Sequence, residues 1–406
     1  MSTTTTVPKV TGLAKAQAGI VAASFSMLLA GSNATYPLLP VYRDTLGLDP
    51  LVISLTFTLY VGFLVPVLFL LARPRFTRHA PLLLLFSLGT MIPSDLFMAH
   101  AQEHLILIGR ALGGIAGGLG TGAASALVVA AIGARGRAVT ATGNTIGGIA
   151  GVSGAQITVL VLTANAPQAV FIGHAALTSA LSLAAAVVLW RRRNHNKVAL
   201  QTLSGTGAAS RLDRTKLRLF TSGALAWTAI SIAAVFGAAM FNELNMSLVQ
   251  IVGPILLVIS STAGQLCSPL LLRAAPWASG TFAMAAGITC ILIGAWLSSE
   301  LVAIAGFVVL GSGIGLAYRA ALVALTKGTT PAQQGALASL YAAITYAIAA
   351  TVVLAIGGIG NMTGLVTASS AVLGAIGLLA VISVAWAPRL LDTRNYTQQQ
   401  RRAHRG

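Results

Sequence analysis

Charged residues are scarce in this sequence: they make up 8% of its 406 positions, whereas 56% of the positions are hydrophobic. A soluble domain carries about 25% charged residues. Acidic residues are the rarer kind, with 8 Asp and Glu against 25 Lys and Arg. This composition excludes an ordinary soluble protein and predicts a chain that lies mostly within a membrane.

The residue patterns of common active sites are also missing or badly placed. Cys267 and Cys290 lie in apolar runs and form neither a disulfide framework nor a ligand pattern. No glycine-rich phosphate loop with its lysine occurs, so we expect no transport driven by ATP. His100, Glu103 and His104 have the spacing of a zinc-peptidase motif. They straddle a predicted turn, however, where the two histidines cannot share a helix face. We therefore predict that the protein is not an enzyme and holds no metal and no cofactor.

Long apolar runs dominate the chain. A helix needs about 20 mostly apolar residues to cross a bilayer. The first run is too long for the core of a signal peptide, so we take it as a retained span. The sequence predicts an all-α membrane protein with twelve transmembrane helices, over residues 17–41, 51–72, 80–100, 104–132, 138–162, 167–190, 219–241, 246–272, 276–297, 301–325, 335–358 and 363–387.

The basic residues fall on one side of these predicted spans. Of the 25 Lys and Arg, only Arg43 lies in a loop on the other side, and only Arg110 and Arg319 lie within spans. Loops rich in Lys and Arg face the cytoplasm, so we predict that both termini are cytoplasmic and that the protein lies in the cell membrane. The basic loops then meet the anionic lipid of the inner leaflet, which argues against nucleic acid as a partner.

The longest hydrophilic stretch, residues 191–218, divides the chain into two halves of six predicted spans. Its Gly, Ser, Thr and Ala content is typical of a flexible linker. The halves resemble each other, because GLGTGAASALVVA from Gly118 aligns with GIGLAYRAALVAL from Gly313. Duplicated halves are typical of secondary transporters, which bind substrate between them. We predict an N-terminal half (1–190), a cytoplasmic linker (191–218), a C-terminal half (219–388) and a basic cytoplasmic tail (389–406).

Residues 104–162 contain fourteen glycines across two predicted spans. Glycine inside a soluble helix costs about 1 kcal/mol relative to alanine. In lipid, small residues let two helix backbones approach closely, and this packing drives helix association. We therefore expect the two helices of this hairpin to pack tightly against each other.

Two segments of this hairpin resemble motifs of the major facilitator superfamily. GRALGGIAGG, from Gly109, is similar to the family's buried arginine with its glycine-rich face. GNTIGGIAGVSG, from Gly143, is similar to its glycine motif of antiporters, with Val152 in place of the family's proline. The loop LLARPRFTRHAPLL keeps the basic residues of the family's signature at that place but lacks its glycines and aspartate. The resemblance implies alternating access by two rocking halves, around a cavity lined mainly by spans 1, 4, 7 and 10.

Ionisable residues embedded in a membrane are functional candidates, because burying a charge in lipid is costly. Asp95, in span three, and Arg110, in span four, lie at a similar predicted depth, so an ion pair between them is reasonable. Such a pair is either a proton-linked switch, in which protonation of Asp95 frees Arg110, or a static link between the helices. His174, in span six, is a second candidate for proton coupling or a buried, hydrogen-bonded histidine. Arg319, in span ten, either faces the cavity or reaches the cytoplasmic interface.

Polar and aromatic side chains on the predicted cavity helices supply the candidate substrate site. Small-molecule sites are mostly apolar with a few placed polar groups, and this set favours an amphipathic, partly aromatic substrate over a polyol. We predict a monomeric secondary transporter that exports a small organic molecule in a proton-linked manner. The alternatives are a metabolite importer or facilitator, and a non-transporting sensor or scaffold. The predicted substrate-binding residues are Asn33, Tyr36, Tyr60, Arg110, Asn144, Trp227, Tyr318, Arg319, Tyr341 and Tyr346.

Overall fold

A computed structural model describes residues 11–71, 74–133, 136–202, 214–275, 278–325 and 331–387. Short 3-10 helices cover Pro74–His79 and Thr163–Asn165. The α-helices, in chain order, are α1 (Gly12–Leu46), α2 (Pro50–Leu71), α3 (Ala80–Ala99), α4 (Glu103–Ile132), α5 (Gly136–Leu162), α6 (Ala166–Arg191), α7 (Arg193–Thr202), α8 (Arg214–Val235), α9 (Gly237–Glu243), α10 (Ser247–Ala274), α11 (Gly280–Trp296), α12 (Glu300–Leu325), α13 (Pro331–Thr363) and α14 (Leu365–Ser383).

The predicted all-helical membrane fold is confirmed. Each predicted apolar run overlaps a helix, and the seventh run is divided between α8 and α9. Within the described ranges, ten segments are long and apolar enough to cross a membrane, and Gly280–Trp296 is a shorter apolar helix. One of the ten, Thr145–Arg191, covers most of α5 and all of α6. The count of twelve crossings and the side on which the termini lie stay predictions.

The helices pack in two groups that face each other. In the first group α1 packs against α4, α5 and α6, while α4 also packs against α2 and α3. In the second group α12 packs against α8, α10 and α11, while α13 packs against α8 and α14. The groups meet mainly where α2 contacts α13 and where α5 contacts α10. Between these two seams, α1 also contacts α8, α9 and α10 of the second group.

The expectation that α4 and α5 pack tightly against each other is wrong. These two helices contact each other much less than α4 contacts α2 and α3, or than α5 contacts α1. The glycines do allow close approach, but to other helices. A Cβ on Gly114 of α4 would collide with the Tyr60 carbonyl of α2. A Cβ on Gly151 of α5 would collide with the Ala30 carbonyl of α1.

Part of the predicted linker is a helix that is docked on the first group. In α7, Leu200 is 1% exposed and Asn196 is 2% exposed. The Gln17 Nε2 group of α1 donates to Asn196 Oδ1 at 3.0 Å and to the Leu127 carbonyl of α4 at 3.1 Å. Residues 191–202 therefore do not form a flexible chain. Residues 203–213 of the linker and the predicted tail, 389–406, lie outside the described residues.

The contact between α1 and α5 can be tested by replacing Gly151 with alanine. The new Cβ would overlap the Ala30 carbonyl group, so the two helices must separate, and overpacking of this kind costs about 1–3 kcal/mol. The control is Gly154→Ala, because Gly154 lies on the same helix with nothing within 4 Å of its would-be Cβ. Thermal unfolding of the purified protein should show a lower Tm for G151A alone. Equal Tm values for the two variants would contradict the close contact.

Candidate functional site

Arg110 is held by hydrogen bonds to two neighbouring helices. It lies on α4 and is 3% exposed. Its Nε donates to the Thr56 carbonyl of α2 at 2.8 Å. Its Nη1 donates to Thr35 Oγ1 at 3.1 Å and to the Ser32 carbonyl at 3.3 Å, both on α1. The guanidinium also lies over the Tyr60 ring, 4.5 Å from its centroid, which is the geometry of a cation–π contact. One side chain thus joins three helices of the first group.

The helix α1 contains Pro37 and Pro40 just after the residues that bind Arg110. Proline has no backbone N–H, so the carbonyls four residues earlier, those of Asn33 and Tyr36, lose their usual helical donors. A carbonyl without its helical donor is an acceptor that must find another partner within a membrane. This part of α1 therefore has carbonyl oxygens that can accept further hydrogen bonds, close to the guanidinium that it binds.

Aromatic rings from α8, α12 and α13 form the opposite side of the site. The Trp227 ring stacks on Tyr346, with centroids 4.4 Å apart, and lies 5.7 Å from the Tyr318 ring. Tyr318 in turn packs on Tyr341, with centroids 4.9 Å apart. The Trp227 Nε1 atom is buried and has no hydrogen-bond partner among the described groups. A buried donor without a partner is costly and marks a place where a ligand acceptor can bind.

The two sides meet between the helix groups. Tyr36 and Tyr60 of the first group pack against the same continuous apolar core as Trp227, Tyr318 and Tyr346 of the second group. Tyr341 lies in a neighbouring apolar cluster and is joined to these rings through its contact with Tyr318. We call this set the aromatic cluster: Tyr36, Tyr60, Trp227, Tyr318, Tyr341 and Tyr346. Six of the residues that the sequence predicted for substrate binding thus belong to this cluster, and one of them, Tyr60, contacts Arg110.

Two of the predicted residues, Asn33 and Arg319, lie outside this cluster. The Asn33 side chain donates to the Leu29 carbonyl of its own helix at 2.8 Å. Asn144 lies in α5, but its side chain is outside the described part of the chain. The Arg319 Nη1 group donates to the Gln265 carbonyl of α10, so Arg319 links two helices of the second group.

The expected ion pair between Asp95 and Arg110 is wrong. Asp95 is fully buried, and its Oδ2 lies 2.7 Å from Nδ1 of His174 on α6. The other ring nitrogen of His174, Nε2, lies 2.8 Å from the Met27 carbonyl of α1. Arg110 is satisfied by backbone and hydroxyl oxygens instead. The sequence held a signal for this pairing, since His174 and Asp95 are both embedded polar residues, but it did not show that α3 packs against α6.

The HAQEH stretch is divided by a turn, as expected. His100 caps the end of α3, Gln102 is extended, and Glu103 begins α4. In the described part of the chain, no group of three or more His, Cys, Asp or Glu side chains could hold a metal ion.

Two polar contacts that the sequence analysis missed join the helix groups at one end. Arg43, near the end of α1, forms an ion pair with Glu243, at the end of α9. The Leu51 backbone N–H of α2 donates to Asn361 Oδ1 of α13 at 3.0 Å. We call these two contacts the outer clasp, because all four residues lie next to predicted outer loops. Arg43 and Glu243 lie at the ends of the first spans of the two halves. Their opposite charges at these corresponding positions were the sequence feature that could have indicated the ion pair.

Comparison with known proteins is consistent with this architecture. The family model described as Major Facilitator Superfamily matches residues 20–354. The solved structure of the nucleoside transporter NupG matches with a TM-score of 0.69 at 14% identity, over 93% of this chain and 99% of that one. A bacterial homologue of the human lysosomal transporter Spinster, in an inward-facing and unoccupied conformation, matches with a TM-score of 0.68 at 10% identity, over 95% of this chain and 98% of that one. No curated protein sequence matches the chain significantly.

The role of Arg110 as a link between three helices can be tested with Arg110→Lys. Lysine keeps the charge, but its single ammonium cannot reproduce the fork of the guanidinium that reaches α1 and α2 together. Each lost hydrogen bond to a charged group costs about 1.5–3 kcal/mol, so we expect a clearly lower Tm. The control is Arg319→Lys, because Arg319 has one recorded hydrogen bond and is only half-buried. A loss of stability in R319K equal to that in R110K would contradict the special constraint on Arg110.

Proposed function

Because the chain belongs to the Major Facilitator Superfamily, we propose that it is a secondary active transporter of the cell membrane that exports a small organic molecule in exchange for protons. The protein is a multi-pass membrane protein with the fold of this family's transporters. The direction is proposed from the glycine-rich face of α5, which resembles the antiporter motif of the family. Alternating access is proposed to proceed by rocking of the two helix groups, each protein molecule acting as a monomer.

One observation carries the proposal of a substrate site: the aromatic cluster and Arg110 come from both helix groups and meet at their interface. A transporter must bind its substrate where both halves can contact it, because the site then opens to either side as the halves rock. Tyr36 and Tyr60 belong to the first group, while Trp227, Tyr318 and Tyr346 belong to the second. This origin from both helix groups supports the proposal that these residues form the substrate site.

The chemistry of the cluster supports a planar, partly aromatic substrate. Stacked rings favour a flat π-system, with about 0.5–1.5 kcal/mol for each aromatic pair beyond the area that is buried. The unpaired Trp227 Nε1 donor requires an acceptor atom at the edge of that system. Arg110 adds positive charge on the other side of the site. Nucleosides have such features, and because NupG is a nucleoside transporter, they are one class to be screened beside drugs, sugars and amino acids.

The outer clasp supports a conformation that is closed at the predicted outer end. The close contact of Gly357 of α13 with Ser54 of α2 lies next to the clasp and requires the absence of a side chain. For the site to open outward, the Arg43–Glu243 pair and the Leu51–Asn361 bond must both break. We propose that these contacts hold this outward-closed form until the occupancy of the substrate site changes.

The substrate site can be tested by ligand-induced thermal stabilisation of the purified protein, followed by Trp227→Phe. Phenylalanine keeps a stacking ring but removes the Nε1 donor. A neutral hydrogen bond contributes about 0.5–1.5 kcal/mol, so the Kd of a ligand found in the screen should rise by roughly 2- to 13-fold. The control is Trp296→Phe, since Trp296 is 83% exposed. Ligand affinity unchanged in W227F would remove Trp227 from the site, and a ligand that binds but is never transported in proteoliposomes would favour a sensor.

The outer clasp can be tested by spin-label distances between Leu46→Cys on α1 and Leu248→Cys on α10, in a protein with Cys267 and Cys290 replaced by alanine. Both labelled positions are exposed near the clasp. Glu243→Gln should shift the population toward longer distances, and an exposed ion pair is worth about 0–1 kcal/mol, so the shift is at most about 5-fold. The double exchange of Arg43→Glu with Glu243→Arg restores the pair and should restore the distribution. A distribution that E243Q leaves unaltered would contradict the clasp.

A further inference from the structure

We propose that Asp95 and His174 together form the proton-binding site of this protein, and that residues 27–35 of α1 carry the protonation state of this pair to Arg110. The proposal rests on the proposed transport function, but it concerns a site that contains no part of the aromatic cluster. It replaces Arg110 with His174 as the partner of Asp95. The geometry of three groups supports it: the Asp95 carboxyl, the His174 ring and the Met27 carbonyl.

The hydrogen-bond geometry determines how many protons the pair holds. The Met27 carbonyl can only accept a hydrogen bond, so His174 Nε2, at 2.8 Å, must carry a hydrogen. The contact of Nδ1 with Asp95 Oδ2, at 2.7 Å, then requires one proton between these two atoms. Whether that proton resides on nitrogen or on oxygen, the pair has no net charge. The described conformation is therefore the protonated form of the site.

Loss of the shared proton would break this arrangement. The Nδ1 lone pair and a carboxylate oxygen would then face each other as two acceptors, and the pair would carry a negative charge. The side chain of Asp95 is fully buried and that of His174 is 8% exposed, so little water can stabilise that charge. The second carboxyl oxygen, Asp95 Oδ1, is also buried and has no partner in the described structure. Deprotonation therefore requires the two side chains to separate or to reach a new donor.

Other charged groups do not offset this charge in the described conformation. From α1 the pair faces the Met27 carbonyl and Gly31, and from α3 it faces the apolar Met91. The charged residue at this level of α4 is Arg110, whose guanidinium donates toward α1 and α2. Glu103 and Arg191 lie at helix ends. Within the described part of the chain, Asp95 and His174 are thus each other's only charged or titratable partner.

The helix α1 connects this pair to the substrate site directly. The ring of His174 lies against Gly31, where a Cβ would collide with Cε1 and Nε2. The next residue, Ser32, accepts from Arg110, as does Thr35 one turn later. From Met27 to Thr35 the helix rises about 12 Å at 1.5 Å per residue. A displacement of His174 thus acts on the same short helical segment that holds Arg110, and Tyr36 of the aromatic cluster follows that segment.

The proton site can be tested without a substrate by infrared difference spectra of the purified full-length protein at different pH values. The wild type should show a carboxyl band that changes as the shared proton is lost at high pH, whether that proton resides on nitrogen or on oxygen, and Asp95→Asn should remove this band. His174→Gln should move the pH at which the band changes, since the partner nitrogen is lost. The control is His104→Gln, at an exposed histidine, which should leave the band unchanged. A band that persists unaltered in both D95N and H174Q would overturn the proposal.

The link to the substrate site can be tested with the spin labels at positions 46 and 248, in nanodiscs across the same pH range. The distance distribution of the otherwise native protein should change with pH, and that of H174Q should not. Gly31→Ala displaces α1 from the histidine ring and should weaken the pH response, whereas Gly19→Ala, with nothing within 4 Å, should not. An identical pH response in H174Q and the parent protein would overturn the link. If D95N does not fold, H174Q and G31A decide both questions.

These measurements separate the two proposals. No ligand is used, so a failed substrate screen would contradict the transport function without affecting the proton site. Once a transported ligand is known, two assays can be compared in D95N. Exchange of ligand across the membrane requires no net proton movement and should persist. Accumulation of ligand driven by a pH gradient should be lost. A D95N variant that still accumulates ligand against its gradient when a pH gradient is imposed would overturn the proton site and leave transport intact.

Discussion

The burial of the Arg110 charge is the constraint on which the rest of the first helix group depends. A charge inside a membrane bundle must be satisfied by fixed polar groups, and here no carboxylate supplies them. Backbone carbonyls of α1 and α2, one hydroxyl and one aromatic face surround the guanidinium instead. Three helices must therefore keep their relative positions. Among the described residues, this positive charge has no acidic partner.

The glycines make this arrangement possible. Gly114 lies one turn after Arg110 on α4 and touches the Tyr60 carbonyl of α2. This contact brings the preceding turn of α2, with the Thr56 carbonyl, within 2.8 Å of Nε. Gly31 has the same role on the other side of α1, where its lack of a side chain admits the His174 ring. The close approach of the backbone at these two glycines therefore positions the buried polar contacts of Arg110 and His174.

Much of the candidate site could be predicted from the sequence because aromatic and ionisable residues are rare in apolar helices. Tyr36, Tyr60 and Trp227 stood out for that reason alone, and the duplicated halves placed their helices around a shared cavity. The partner of Asp95 could not be predicted in this way. Arg110 was favoured because it follows in the next span, whereas His174, 79 residues further along the chain, meets Asp95 through the contact of α3 with α6.

The sequence by itself determined that this protein is a helical membrane protein and which few residues carry its polar chemistry, because hydropathy and the rarity of charge are local properties of the chain. Only the tertiary structure decided the partners: α2 for Gly114 of α4, α1 for Gly151 of α5, and His174 for Asp95. These choices depend on how helices distant in sequence lie side by side, and helical periodicity alone does not specify neighbours. In lipid, where hydrophobicity is similar on every face, shape and hydrogen-bond satisfaction select them.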